Sequence, residues 1–277
     1  MDTILYLMGG GKMGDPRMAD HYLRIVDLAK AQFGAQKTHV AIIPTAHFNG
    51  THTKMGRGYM DFTVETFRGL GCDIHQILMG DVPAGRSETR DGDIQEILSK
   101  SHAVFVLGGD TRYLLEVVRD KGLVSTFEAT IQDGKVMAGT SAGFIWLTKH
   151  CMSDAESFHS DEWRYVMLRG LGILPVAGNA HDNGSTPEGL VPQVSRREQF
   201  EGHFAQLGEL PGIVVDEFAA IEVRNFMCQP RSFDPAIGAY VLANGENGIA
   251  RRKIDPGTAV DLRDAEALRE FARSYPS

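Results

Sequence analysis

The sequence predicts an α/β fold with a mostly parallel central sheet covered by helices on both faces. Three observations support this prediction: short segments that are continuously apolar, helical spacing of the apolar residues between them, and glycine-rich turns where the segments end. Strands that are apolar on both faces are typical of parallel sheets buried between helices. Because ligands in such folds bind at the carboxyl ends of the strands, the glycine-rich turns are the candidate functional site.

The sequence predicts that strands and helices alternate through the first two thirds of the chain. The predicted strands are "TILYLMGG", "THVAIIPTA", "DIHQILM", "HAVFVLGG" and "KVMAGT". The predicted helices are a segment from about Met18 to Gly34, "YMDFTVETFRGLG", "DIQEILSKS", "TRYLLEVVRDKG" and "LVSTFEATIQDG". Three later segments, "LGILPVAGNAHDNG", "PGIVVDEFAAIEVRN" and "GAYVLANGENGIARRKI", are rich in strand formers, and "DAEALREFARSY" is a terminal helix. Without repeats or linkers, residues 1–277 are predicted to form a single domain, with about 236–277 as a C-terminal extension of strands and a helix.

Composition and charge narrow the classes of function. The 277 residues carry a net charge of -8, with 43% hydrophobic and 23% charged residues, as is usual for a globular enzyme. No run of Lys or Arg indicates nucleic-acid binding, and no window approaches the roughly 20 apolar residues of a membrane span. Cys72, Cys151 and Cys228 are odd in number and widely spaced, which argues against a disulfide framework. We expect a cytoplasmic protein that binds neither nucleic acid nor membrane.

The segment "GTSAG" after the fifth predicted strand is the strongest candidate for chemistry. It fits the pattern G-x-S-x-G with a strand before it and a helix after it, as a nucleophile elbow requires. Flanking glycines allow a sharp turn that exposes Ser141 at the tip of the strand, and the N–H of Ala142 would face a developing oxyanion. The alternative is that Gly139 and Gly143 only permit close packing of helix against strand.

A second glycine turn, in "VLGGDTRYLL", ends the preceding predicted strand. In a parallel sheet it opens on the same edge as the elbow, so the N–H of Gly109 is a candidate second oxyanion donor. A phosphate-binding or purely structural turn is the alternative. No Walker lysine follows this turn, and "GGGKMG" after the first strand matches a dinucleotide motif only in part.

His181 in "GNAHDN" is the best candidate for the base that a serine nucleophile needs. It follows an apolar strand among small residues, downstream of the elbow. The interval from Ser141 to His181 is too short for two further strand–helix units, which argues against an α/β-hydrolase. His47 and His52 have no evident third metal ligand, so neither a metal nor a cofactor is expected.

The ordered set of motifs resembles a family of serine peptidases that includes dipeptidase E and cyanophycinase. The resemblance runs through "YLMGGG", "IIPTA", "GGDTRYLLE", "GTSAG", "GLGILP", "NAHD" and "GIVVDEFAAIEV". It implies a three-layer, flavodoxin-like sandwich similar to the class I glutamine amidotransferases. It also implies that Ser141 is the nucleophile, that His181 is the base, and that Gly109 and Ala142 form the oxyanion hole.

The acid that orients the histidine is open between two main candidates. By resemblance to dipeptidase E it is Asp154, which is slightly preferred, and by resemblance to cyanophycinase it is Glu217. Glu156 is a third candidate. Any of them could hold the imidazole in one tautomer and stabilise the imidazolium.

The substrate is expected to be a small peptide, with α- or β-aspartyl specificity left open. Cyanophycinases have Gln where this chain has Thr111, and dipeptidase E has Asn at the position of Asp110. Both residues, together with Arg196 and Arg197 as a clamp for a substrate carboxylate, are candidate substrate contacts, and a solvated helix face is the alternative for the two arginines. An esterase or acyltransferase with the same nucleophile, or a non-catalytic binding protein, are the alternatives. A homodimer is implied by the resemblance alone.

Overall fold

The computed structural model describes residues 1–12, 14–49, 53–184 and 195–274, with no side-chain description for 53–57. The strands are β1 (Ile4–Met8), β2 (His39–Ile43), β3 (Asp73–Gln76), β4 (Ala103–Val106), β5 (Val136–Thr140), β6 (Thr148–Ser153), β7 (Val166–Arg169), β8 (Leu174–Asn179), β9 (Gly212–Val215), β10 (Ala219–Arg224), β11 (Met227–Ser232), β12 (Ala239–Gly245), β13 (Gly248–Lys253) and β14 (Val260–Asp261). The helices are α1 (Pro16–Phe33), α2 (Thr53–Gly69), α3 (Asp91–Lys100), α4 (Thr111–Asp120), α5 (Val124–Gln132), α6 (Ala142–Ile145), α7 (Arg196–Phe204) and α8 (Ala265–Arg273).

The larger sheet has eight strands in the order β14-β11-β10-β1-β5-β4-β2-β3. The five strands from β1 to β3 in that order run parallel, and β10, β11 and β14 add an antiparallel side. Alternate residues of β1 enter two separate hydrophobic cores, Leu5 and Leu7 on one face and Ile4, Tyr6 and Met8 on the other. Burial on both faces explains the continuous apolar pattern. The predicted α/β fold is confirmed.

A second sheet of six strands, in the order β13-β12-β9-β8-β6-β7, was not anticipated as a separate sheet. The helix predicted after the elbow is a single turn, α6, and the chain enters β6 directly after it. The segment of about 236–277 contributes β12 and β13 to this sheet, where β12 pairs with β9. β12 and β13 therefore extend the same sheet that carries β8 and β9, while β14 pairs with β11 in the larger sheet.

The arrangement brings strand ends from both sheets together. β1, β4 and β5 of the larger sheet are parallel, and so are β6, β8 and β9 of the second sheet. The segments after β4, β5, β8 and β9 carry Gly109, Ser141, His181 and Glu217, whereas the acid candidates Asp154 and Glu156 follow β6. In the part of the chain that the structure describes, no helix is long and apolar enough to cross a membrane.

Candidate active site

The glycine turn after β1 is the centre of the site. Three successive carbonyl groups, those of the last residue of β1 and of the first two glycines of the turn, accept hydrogen bonds from residues in three distant parts of the chain. The bonds run from Ser141 N–H to Met8 O (3.1 Å), from His181 N–H to Gly9 O (2.8 Å) and from Phe218 N–H to Gly10 O (2.9 Å). One turn thus fixes the backbone of the candidate nucleophile, of the candidate base, and of the residue that follows Glu217.

Backbone strain is concentrated at these same positions. Ser141, His181 and Phe218 adopt φ values of 54°, 51° and 63°, a region that residues with a side chain rarely occupy. Such conformations persist only where the surrounding structure over-determines them, and they cluster at functional sites. The hydrogen bonds to the glycine turn are part of what holds them here.

Ser141 lies between β5 and α6, as a nucleophile elbow requires. The flanking glycines are sterically necessary: a Cβ on Gly139 would lie 2.0 Å from the carbonyl oxygen of Gly143, and one on Gly143 would lie 2.1 Å from that of Val106. Gly139 and Gly143 therefore do permit close packing of helix against strand, as the alternative explanation states. The same turn also holds Ser141 in a strained conformation, so the two explanations are compatible.

His181 is oriented by Glu217. Its Nδ1 donates to Glu217 Oε1 over 2.7 Å, which leaves Nε2 as the nitrogen available for a proton transfer. The same hydrogen bond lowers the pKa of Glu217 below its usual range, against the opposing effect of burial. Asn183 restrains the backbone of Glu217, because its Oδ1 accepts a hydrogen bond from the N–H of Glu217 over 2.8 Å.

The expected contact between the nucleophile and the base is not formed. No hydrogen bond joins Ser141 Oγ to His181 Nε2 in the portion of the chain with described side chains. Catalytic hydrogen bonds of this kind are often long before a substrate is bound. Gly10 leaves the space that the imidazole occupies, because a Cβ there would lie 2.0 Å from His181 Cε1.

The two backbone N–H groups predicted as oxyanion donors, those of Gly109 and Ala142, have no acceptor among the hydrogen bonds of the described residues, so both stay candidates. Gly109 has a φ of 125°, and a Cβ on it would lie 2.3 Å from the carbonyl oxygen of Ala46, so only glycine fits. The neighbouring Gly108 approaches the elbow, where a Cβ on it would lie 3.0 Å from Ser141 Cβ.

Asp154, the preferred acid in the sequence analysis, does not contact His181. Its Oδ2 accepts from Arg196 Nη1 over 3.1 Å, and Arg196 also reaches Asn179 Oδ1 over 3.4 Å. Arg196 is only 4% exposed, so its assignment as a clamp for a substrate carboxylate is wrong in this structure: the guanidinium already serves two internal partners. The structure thus brings Glu217 to the histidine and pairs Asp154 elsewhere.

Glu156, the third acid considered, lies apart from His181. Its carboxylate is 3.7 Å from Arg112 Nη2 and accepts from the N–H of Arg164 over 3.3 Å. His52 lies outside the described residues. No group of three or more potential metal ligands occurs in the ranges that are described.

Asp110 and Thr111 are buried at the start of α4. Asp110 caps the helix by accepting from the N–H of Tyr113 over 3.0 Å, and it also accepts from His159 Nε2 over 2.9 Å and from Asn49. Its side chain is inaccessible while that of His159 is 54% exposed. A substrate near Gly109 would therefore meet His159 before Asp110, and the structure gives no direct support to Asp110 or Thr111 as substrate contacts.

Sequence reasoning missed the two features that organise the site. The turn Gly9–Gly11 was weighed only as a partial nucleotide motif, although three glycines at a strand end signal a close approach of backbones. Asp182, next to His181, is 1% exposed and has three hydrogen-bond donors. The charged residue next to a candidate base could have indicated from the sequence that Asp182 helps to fix the His181 loop.

The sequence is similar to those of known peptidases and cyanophycinases. The model of peptidase family S51 matches residues 5–229. A cyanophycinase from Geminocystis herdmanii is 32% identical over 144 residues, which are 51% of this chain and 50% of that protein. A cyanophycinase from Trichormus variabilis is 27% identical over 144 residues, covering 51% and 45%. The match thus spans about half the length of these curated relatives.

Two solved structures share the fold. A peptidase from an acI-B1 actinobacterium superposes with a TM-score of 0.64 at 18% identity, covering 94% of this chain and 97% of the other. A putative peptidase E protein from Listeria monocytogenes EGD-e gives 0.56 at 17% identity, covering 84% and 100%. With the match to the family model, these similarities confirm the resemblance to dipeptidase E and cyanophycinase: the chain belongs to peptidase family S51, a family of serine-type peptidases.

Proposed function

We propose that this protein is an active serine peptidase that hydrolyses small peptides through Ser141, His181 and Glu217. One observation carries the proposal: the turn after β1 holds the strained elbow serine, the strained histidine and the segment of its acid through consecutive carbonyl groups. Nucleophile, base and orienting acid are the three parts that covalent acyl transfer needs. Membership of family S51 supports the same chemistry.

We expect acylation to use these groups in the order that is usual for a serine peptidase. Ser141 Oγ attacks the carbonyl carbon of the scissile bond while His181 Nε2 takes the hydroxyl proton. The negative charge that develops on the carbonyl oxygen is stabilised by the N–H groups of Gly109 and Ala142. The C–N bond then breaks, and the imidazolium gives its proton to the leaving amine.

Deacylation uses the same groups in reverse. His181 Nε2 removes a proton from water, the hydroxide attacks the acyl carbon, and Ser141 leaves with the proton returned by the imidazolium. Glu217 accepts the hydrogen bond from the Nδ1–H group of His181 throughout. Because its pKa is lowered, it stays charged at neutral pH and stabilises the imidazolium in both steps.

Access to the site suits a small substrate. The side chains of His181 and Glu217 are 26% and 36% exposed, so a peptide can reach them without an opening of the core. Exo- or dipeptidase-like cleavage, α- or β-aspartyl specificity, a cytoplasmic location and a homodimer stay predictions from the sequence. His159 is the exposed polar group nearest to Asp110 and the first candidate for contact with the substrate.

The test is labelling of the intact protein with a fluorophosphonate probe. Wild type should be labelled on Ser141, and Ser141→Ala should lose both the label and about 10⁶-fold of kcat while it keeps its fold. Ser160→Ala is the matched control, since this exposed serine binds the backbone of Glu162 and should leave labelling intact. Folding is checked by circular dichroism.

The outcomes separate the competing functions. A folded wild type that resists the probe would contradict the proposal and favour a non-catalytic binding protein. A labelled protein is then screened on a dipeptide library with α- and β-aspartyl members and on simple esters. Turnover of esters without any turnover of peptides would overturn the peptidase assignment in favour of an esterase.

A further inference from the structure

The loops that carry His181 and Glu217 are fixed by buried carboxylates next to them in sequence. Asp182 follows His181 and is 1% exposed, and Asp216 precedes Glu217 and is 2% exposed. The backbone links the two loops, since the N–H of Asp182 donates to Val215 O over 3.2 Å. A displacement of either aspartate would therefore also displace the base or its acid, which is the neighbouring residue in the chain.

Asp182 is held from three sides. Its Oδ1 accepts from Asn179 Nδ2 over 3.0 Å, and its Oδ2 accepts from Arg197 Nε over 3.1 Å and from Arg251 Nη2. Burying a carboxylate is costly unless it is paired and hydrogen-bonded, and here each oxygen has a donor. The carboxylate is therefore an anchor with little freedom to move.

Arg251 is the more deeply placed of the two arginines. Its side chain is 16% exposed against 41% for Arg197, and its guanidinium lies 4.1 Å from the centre of the Tyr240 ring. Both Tyr240 and Arg251 belong to the hairpin of β12 and β13. The same region holds Asp216, because its Oδ2 accepts from the N–H of Gly238 over 2.9 Å.

This hairpin lies outside the segment that defines the family. The family model ends at residue 229, while Gly238, Tyr240 and Arg251 come after it. The anchoring of the His181 loop thus depends on a part of this chain that the family match does not include. The strained φ of 51° at His181 makes such an anchor necessary, because a rare conformation relaxes when its restraints are removed.

We propose that Arg251 is a positioning residue that holds the His181–Glu217 pair in its catalytic geometry through Asp182. The inference rests on the proposed function of His181 as the base. In this proposal the β12–β13 hairpin contributes to the site by restraining the loop that carries His181. Arg251 touches neither the substrate nor the reacting atoms and acts only through the loop that it restrains.

The experiment reads the geometry of the histidine without requiring turnover. In protein with ¹⁵N-labelled histidine, the Nδ1 proton of His181 bonded to Glu217 should give a far-downfield proton resonance. We expect this resonance in wild type, its loss or broadening in Arg251→Gln, and its partial recovery in Arg251→Lys, which restores the charge without the planar fork. Where peptides are turned over, Arg251→Gln should lose about 100-fold in kcat with KM nearly unchanged.

Arg252→Gln is the matched control on the same strand. Arg252 points to the C-terminal helix, where it donates to Ser274 Oγ over 2.6 Å and lies over the ring of Phe271 at 4.2 Å. Its loss weakens the hairpin without touching Asp182, so the resonance should persist. Loss of the resonance in Arg252→Gln as well would reduce Arg251 to a merely structural role and overturn the inference.

Failure of the inference and failure of the proposed function give different results. An unchanged resonance in folded Arg251→Gln, or no such resonance in wild type, overturns the inference. A wild type that shows the resonance but resists the fluorophosphonate probe contradicts the proposed function and leaves the positioning role supported. If Arg251→Gln does not fold, Asp182→Asn with Arg251 intact takes its place, and loss of the resonance is again expected.

Discussion

The two halves of the candidate site are built by different physical means. Ser141, Gly109 and Ala142 follow strands of the larger sheet and are held by backbone bonds and close packing against apolar residues such as Phe144, which is fully buried. His181 and Glu217 follow strands of the second sheet, where buried aspartates and arginines fix them. The first half depends on shape and the second on charge, so the two should respond differently to substitution.

The largest effect that tests this comparison is expected at the acid of the second half. Glu217→Gln keeps the size of the side chain but removes the charge that orients and stabilises the imidazolium, so kcat should fall by about 10⁴-fold. Asp154→Asn should leave kcat close to wild type and act on stability, because Asp154 pairs with Arg196. Steady-state kinetics of both variants shows which carboxylate orients His181. A larger loss of kcat in Asp154→Asn than in Glu217→Gln would identify Asp154 as that acid.

The next effect concerns the buried charge itself. Asp182→Ala removes a carboxylate that two arginines share and leaves Arg251, which is 16% exposed, with its longer ion pair to Glu201 at 3.6 Å, so the free energy of unfolding should fall by about 3 kcal/mol. Glu65→Ala removes an exposed pair with Arg68 and should cost at most about 0.5 kcal/mol. Urea denaturation measures both, and equal losses would show that the second half does not depend on buried charge.

A methyl group on the glycine turn, which contacts both halves of the site, should displace the imidazole of His181. Gly10→Ala places a Cβ 2.0 Å from His181 Cε1, so the imidazole must move and kcat should fall by about 100-fold. Gly34→Ala is a control for a methyl group added at positive φ in open space: its φ of 60° lies in the left-handed region and, among the described residues, only its chain neighbours lie within 4 Å of the added Cβ, so only about 1 kcal/mol of stability should be lost. Unchanged kcat in Gly10→Ala would contradict the central place of this turn.

The smallest effect is on the dependence of stability on pH. Because the pKa of Glu217 is lowered in the folded state, its contribution is complete above the unfolded value of about 4.3 and is lost as pH falls through the lower folded value. Wild type should therefore lose more Tm than Glu217→Gln between pH 6 and pH 3. Parallel Tm curves for the two proteins would remove the evidence for a stabilising ion pair.

Local patterns determined the first half of the site. The apolar runs predict β1, β4 and β5, and "GTSAG" and "VLGGD" mark the turns that carry Ser141 and Gly109, because strand, turn and helix are encoded by neighbouring residues. These features follow from the pleat, from helical spacing and from the steric freedom of glycine. The α/β class and the membership of family S51 followed from the same ordered motifs.

In the second half the sequence predicted His181, but only the tertiary structure showed its partners. The sequence alone did not show whether Asp154 or Glu217 contacts His181. The chain crosses from β9 in one sheet to β10 in the other, and this crossing brings Glu217 to His181. The burial of Arg196 and the reach of Arg251 from β13 are likewise contacts between distant segments. Sequence spacing determines periodicity along an element, whereas the pairing of buried charges depends on which elements become neighbours in the folded chain.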